Sequence, residues 1–340
     1  MLEIKNRTPF VAALVPGLDR EGRDTVTVIV KGTFDLGART ALTPSATQIP
    51  IAHGETFHGE PGVSSIKYEA DACPAKKGTD VVLVGHACSI RPVPALDVSL
   101  SVGPVRKIVR VTGDRVWFRS LGRIALSDPI AFTRMPLVYE RSFGGGDRAF
   151  KDDDDAARPR DPRNPLGVGF TSAAEPERID GVRLPNLEDP DHRIAAPADR
   201  PPVAGFGFIG RDWLPRRAFA GTYDDAWQAD RFPFLPADFD ERFFNGAHPA
   251  LVSARPFKGG EAVHITNVTD AGELGFRLPS AAPRVALSIR RTVTDHQPAL
   301  DTVLIEPDQR RVVLTWRVTV PCPRLFLYID HVQISEKRAA

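Results

Sequence analysis

"DTVLIEPDQRRVVLTWRVTV", residues 301–320, decides the fold. β-branched and leucyl residues fill both flanks of PDQR, where Pro takes the favoured second position of a turn. A stretch of this kind is a β-hairpin. Just upstream, "RVALSIRRTVT" (284–294) reads as one more strand, and "LFLYIDHVQI" (325–334) is placed to close the sheet.

The same grammar returns near the other end of the chain. "TVTVIVKGTF" (25–34) alternates Thr with Val or Ile, as a half-buried strand does. "TDVVLVGHA" (79–87) is a continuous apolar run, the mark of a strand covered on both faces. "ALDVSLSVGPVRKIVRVTGDRVWF" (95–118) divides into three strands at Gly103-Pro104 and Gly113-Asp114. Across the chain, 31 Pro and 27 Gly punctuate short apolar runs, which favours an all-β reading.

From Ser127 to Pro256 the pattern changes to Pro, Asp, Arg and aromatic residues with little periodicity. Only "DDAWQADR" (224–231) and "PADFDERFFNGA" (236–247) read as helical, the second with Pro at its start and Gly at its end. The aromatic content implies that this region packs as ordered irregular structure. The expected architecture is therefore mainly β. It is an antiparallel β-sandwich or distorted barrel with a long irregular, aromatic- and Pro-rich middle excursion and a few short helices. Residues 1–126 and 257–340 supply the β core, 127–256 pack on it, and the three parts form one integrated domain.

The chain has 340 residues, 42% of them apolar, enough for a core without staples. It carries 44 basic and 43 acidic residues, a balance that argues against bulk attraction to nucleic acid or anionic lipid. Cys73, Cys88 and Cys322 are far apart and form no CxxC, so they read as ordinary thiols of a reducing compartment. "FVAALV" near the start is too short to span a bilayer, and no signal-peptide pattern precedes it. The expectation is a cytoplasmic protein without membrane insertion.

The most chemical-looking stretch is "RSFGGGDRAFKDDDDAARPRDPRNPLGVGF" (141–170). Gly144, Gly145 and Gly146 match neither a P-loop nor a dinucleotide fingerprint, and Asp147 would repel a phosphate. Asp152 to Asp155 offer hard oxygen ligands, but consecutive aspartates point apart and their spacing is not that of a calcium loop. The glycines read as a device for positive φ and a sharp reversal after a strand at "MPLVYERSF", with "NPLGVGF" as a second tight turn. A cation-dependent hydrolase using the Gly144–Asp155 loop is the enzymatic alternative.

Eight histidines are scattered. His53 and His58 lie in a Gly-rich loop that fixes no metal-binding face, and His86 reads as a satisfied strand-end residue. There is no GxSxG, and neither Cys73 nor Cys88 carries a nucleophile signature. No cofactor and no metal is expected. The block "FGFIGRDWLPRRAFAGTYDDAWQADRFPFLPADFDERFF" (206–244) interleaves aromatic residues with Arg and Pro. It reads as a local core or a protein-binding surface, since Trp, Tyr and Arg dominate interface hot spots. Trp213, Arg216, Trp227 and Phe244 are the candidate partner-binding residues, with Gly144, Gly145 and Gly146 as a shaped edge. Sheet edges are further places where a partner strand could join.

Several blocks taken together resemble one family: "NRTPF", "PGLDREGRDTVTVIVKGTF", "KKGTDVVLVGHA", "LDVSLSVGPVRKIVRVTGDRVW", "FTRMPLVYERSFGG", "NPLGVGF", "LPNLE", "GFGFIGRDWLPRRAFAGTYDDAW", "FPFLPADFDERFFNGA" and "DTVLIEPDQRRVVLTWR". The resemblance runs from about Asn6 to Arg317. The family, long labelled a domain of unknown function, is encoded in bacterial type VI secretion clusters beside PAAR-like tip proteins and effectors. It implies a non-enzymatic adaptor or chaperone that binds an effector, often through its PAAR-like domain, and helps load it onto the spike protein. It carries no residue-level binding motif onto this sequence. A structural component of the secretion apparatus is a further alternative.

Overall fold

Ala299–Glu306 and Arg311–Pro321 pair antiparallel, as the PDQR turn requires. The turn itself is a short 3-10 segment, Pro307–Gln309, closed by Arg310 in the left-handed region at φ 52. The computed structural model describes residues 3–37, 41–148, 150, 157–172, 176–280, 282–322 and 325–336. In it the hairpin is the centre of the largest sheet, whose order is Val11–Leu18, Asp24–Asp35, Arg311–Pro321, Ala299–Glu306 and Asp80–Leu83. The two termini of the chain thus meet in one sheet. Asp80–Leu83 joins it in parallel, the other neighbours antiparallel.

A five-stranded sheet runs Leu187–Glu188, Val105–Thr112, Ala95–Val102, Ala262–Thr266 and Glu273–Arg277. A four-stranded sheet runs Glu3–Asn6, Ile329–Glu336, Pro283–Ile289 and Thr292–His296. Val28, Val30 and Trp316 from the large sheet share one buried cluster with Leu100 and Val109 from the second and Val285 and Val332 from the third. The layers are sandwich-like, and no sheet among the described residues closes into a barrel. Phe10 lies under Trp316, ring centroids 5.6 Å apart, where Gly32 leaves room for it: a Cβ at Gly32 would meet the Phe10 ring at 2.7 Å.

Four expectations about the strands need correction. The 25–34 strand is buried along almost its whole length instead of half-buried, because the large sheet is covered on both sides. The 284–294 run is split into two strands by Arg290 and Arg291, whose φ angles of 48 and 64 make a tight hairpin without glycine. Ile329–Glu336 does not extend the large sheet: a 3-10 segment at Leu325–Tyr328 precedes it, and it pairs with Glu3–Asn6 and Pro283–Ile289. Finally, "MPLVYERSF" is no single strand. Phe132–Pro136 is followed by a 3-10 turn at Tyr139–Arg141, and only Phe143–Gly144 is again extended.

The middle region is irregular but interior to the molecule. Phe206, Phe208 and Leu251 are buried in the main core. The outer edge of Asp80–Leu83 is closed by this region: Leu83 N donates to Phe206 O at 3.0 Å, and Asp80 bridges Val252. Asp225–Asp230 is helical, its N-terminus capped by Asp224, which accepts from Trp227 N at 2.9 Å. The helix expected over 236–247 is reduced to a 3-10 turn at Glu241–Phe244, because Asp240 caps the chain there and restarts it.

Candidate functional site

The triple glycine makes the reversal that its composition demands. Gly144 and Gly145 have φ of 141 and 83, where a side chain is strained. The space is also closed: a Cβ at Gly145 would lie 1.9 Å from Gly167 O, and one at Gly144 2.2 Å from Asn164 O. Buried Asn164 is the hub. Its carbonyl accepts from Gly145 N at 2.7 Å, and its side-chain amide donates to Tyr139 O and Phe143 O at 2.8 and 3.1 Å. Gly146 is half-buried and bridges Arg160, while Asp147 N donates to Pro159 O at 2.9 Å. Two turns are thereby zipped into one rigid unit, with Phe143–Gly144 parallel to Val168–Gly169.

On this unit opens a cleft of about 760 Å³. Phe57, Val63, Ile66, Leu166 and Trp213 give it apolar walls, and Arg148, Arg158, Arg160 and Arg211 bring guanidinium groups. Arg211 Nε is 3.0 Å from Glu55 Oε1 across the cleft. The structure thus brings Gly146 and Trp213 together, although 66 positions separate them in the numbering. Trp213 is only 5% exposed, held edge-on to Tyr139 at 5.6 Å, so it contributes a wall and not a protruding anchor. Gly144 and Gly145 are buried beneath the cleft and shape it without lining it. Sequence reading missed Glu55 and Phe57 on the facing wall, because nothing local ties that loop to the glycine turn.

Arg216 lies behind the cleft and is corrected from a surface contact to an interior anchor at 4% exposure. It donates to Ile209 O and Phe243 O, both at 2.8 Å, and to Glu69 Oε1. Glu69 opens onto a buried ionic lattice. Lys76 Nζ is 2.6 Å from Asp80 Oδ2 and 3.4 Å from Glu69 Oε2. Lys31 Nζ is 2.7 Å from Asp71 Oδ2, and Arg317 reaches Asp71 and Asp301. Lys31, Lys76, Arg216 and Arg317 thus face Glu69, Asp71, Asp80 and Asp301, and formal charge cancels. Burial alone would raise the Glu69 carboxyl, but Lys76 and Arg216 outweigh it and hold Glu69 below its ordinary range. Burial likewise opposes the Lys76 cation, and Asp80 and Glu69 overcome it, so the ammonium stays charged. The lattice binds the 216–246 segment to the large sheet, since Asn245 Nδ2 and Gly246 N also donate to Asp80, each at 2.8 Å.

Trp227 and Phe244 lie elsewhere. Half-buried Phe244 packs on Phe239 at 5.5 Å. Trp227 is half-buried at the centre of an outer aromatic cluster, edge-on to Tyr223 at 4.8 Å and Phe232 at 5.6 Å, with Nε1 donating to Phe234 O at 2.9 Å. His86 is satisfied at its strand end: its Nδ1 is 2.6 Å from Asp308 Oδ2, and Arg134 is 2.9 Å from the same carboxylate. All three cysteines are buried. Asp152 to Asp155 lie outside the described residues. Among the described residues no cluster of His, Cys, Asp and Glu is arranged to hold a metal, and no helix is long and apolar enough to cross a membrane.

Residues 21–317 match the model of a family described as an uncharacterized protein conserved in bacteria (DUF2169). No curated protein and no solved structure matches the chain.

Proposed function

The chain belongs to the DUF2169 family of conserved bacterial proteins, and from that premise we propose that it is a non-enzymatic adaptor. It binds a type VI secretion effector, through the effector's PAAR-like domain, and helps load it onto the spike protein. The blocks that resemble the type VI adaptor family run from Asn6 to Arg317 and fall almost wholly within the matched span. The observation that carries the reading is the cleft. Apolar walls with an arginine rim are what protein interfaces favour, and the glycine turns beneath hold the surface preformed, which lowers the cost of docking.

Co-expression with the PAAR-like and effector products of neighbouring genes tests it. The expected result is a co-purifying complex and a fall in effector abundance when the adaptor gene is deleted. Arg148→Glu with Arg211→Glu is expected to cut capture about tenfold or more while leaving the fold intact, because both side chains reach the cleft from exposed positions. No association and unchanged effector abundance would overturn the reading. Stoichiometric Ca²⁺ or Mg²⁺, lost when Asp152 to Asp155 are replaced, would replace it with the hydrolase alternative.

A further inference from the structure

The large sheet has two edges, treated differently by the fold. The Asp80–Leu83 edge is covered by the middle region, whereas among the described residues Val11–Leu18 pairs only with Asp24–Asp35. Asp19 N donates to Arg23 O at 2.9 Å, and hydrogen-bonded pairs in an antiparallel ladder alternate from there. Gly17, Val15, Ala13 and Val11 therefore point their backbone groups inward at the neighbouring strand. The N–H groups of Ala12, Leu14 and Leu18 and the carbonyls of Ala12, Leu14, Pro16 and Leu18 point outward. None of these has a hydrogen-bond partner among the described residues. The missing N–H of Pro16 falls on the outer side, so the inner ladder is complete.

This edge is apolar throughout: VAALVPGL carries no charge over its eight residues. Soluble proteins usually blunt such edges with charge, because an open apolar strand templates pairing. Here Pro16 is the sole blunting residue along the strand. At the strand's end the outer aromatic cluster takes over. Arg231 Nη2 donates to Arg20 O at 2.7 Å, and Phe234 packs on Gly22, where a Cβ would meet its ring at 2.3 Å. Leu18, Tyr223 and Phe232 are 49%, 56% and 65% exposed, a concentration of apolar surface at one end of the open edge.

We propose that the outer edge of Val11–Leu18, with the Tyr223–Trp227–Phe232 cluster at its end, receives an extended, uncharged, apolar segment of the cargo as an added strand. Backbone pairing supplies affinity and the aromatic cluster fixes which end of the segment lies where. A charge on the occupant's side chains flanking Ala12 and Leu14, which pack on the main core, would be buried there without a partner, and this selects an apolar segment. The inference rests on the adaptor reading and adds a second contact distinct from the arginine cleft.

The experiment uses the full chain and its complex with the neighbouring PAAR-like gene product. Hydrogen exchange at Ala12, Leu14 and Leu18 is expected to be fast in the free chain and slowed about tenfold or more in the complex. Ala12→Pro deletes one outward donor and keeps the inner ladder, and Phe232→Asp alters an exposed ring. Each is expected to weaken capture about fivefold or more with little change in melting temperature. If Ala12→Pro fails to fold, Phe232→Asp and exchange in the wild-type chain still decide. A complex that forms without slowing exchange along this strand overturns the edge assignment and leaves the adaptor reading standing. Protection in the free chain that grows with its concentration means that a second copy occupies the edge, which also overturns it. Absence of any complex overturns both.

Discussion

At the residue scale the positions that shape the cleft are those with no alternative conformation. Gly145→Ala would place a methyl group against Gly167 O at a φ of 83. We expect a loss of about 3 kcal/mol or more, read as a lower urea midpoint, because the carbonyl belongs to a zipped turn that cannot retreat. A midpoint within error of wild type would mean that the two turns are not rigid. This device was legible, since a triple glycine has few other uses. Its partner Asn164 was not, because the carbonyls it serves come from Tyr139 and Phe143, far away in sequence. The lattice residues were equally hidden: Lys31, Glu69 and Asp301 look like surface charge until their partners are known. His248 is a further case. Its Nδ1 accepts from Ala250 N at 3.1 Å, so the neutral ring caps the 3-10 turn Pro249–Leu251. Burial, helped by the nearby Lys107 cation, pushes the imidazole down from 6.5 to about 3. The unfolded chain therefore binds the proton more readily. Stability from this group is complete above pH 6.5 and is lost as pH falls towards 3, by up to about 1.4 kcal/mol per pH unit. Urea titrations between pH 4.5 and 7 should show this slope in the wild type and a flatter one in His248→Gln. Parallel profiles would remove His248 from the account.

At the element scale the strands were legible wherever apolar runs met Gly or Pro. The three strands of 95–118 and the hairpin of 299–321 follow directly from such punctuation. The turn at Arg290 and Arg291 escaped reading because it lacks both signals. It is made by tertiary support: Arg291 N donates to Asp330 Oδ2 at 2.7 Å, Ser288 Oγ donates to the same oxygen at 2.9 Å, and the Arg290 guanidinium covers the Tyr328 ring at 3.9 Å. The left-handed conformation at Arg291 still costs about 1 kcal/mol. Arg291→Gly keeps the backbone donor and removes that cost, so a gain of about 0.5 kcal/mol in unfolding free energy is expected. Arg291→Val, β-branched at φ 64, should lose about 1 kcal/mol or more. Equal midpoints for the two variants would show that the backbone there relaxes out of the left-handed region.

At the scale of the whole molecule the middle region is part of the interior and not an appendage. Leu187–Glu188 is a strand of the five-stranded sheet, and Glu188 also pairs with Arg115 at 2.6 Å. Phe206, Phe208 and Leu251 complete the main core, and Arg216 neutralises Glu69 inside the lattice. Removing this region would leave the Asp80–Leu83 edge unpaired and Glu69 short of a cation, each costing about 3 kcal/mol or more before any lost apolar burial is counted. An excision that joins Leu126 to Phe257 by a short Gly-Ser linker should therefore give no cooperative urea transition, although it retains the strands at both ends of the chain. The intact chain should unfold in one transition by fluorescence and by circular dichroism, since one buried cluster draws on the three largest sheets. A cooperative transition in the excised chain would show that the termini alone build a stable sandwich. The cleft would then straddle the sandwich and a separable middle region, since Phe57, Val63 and Ile66 belong to the first and Leu166, Arg211 and Trp213 to the second.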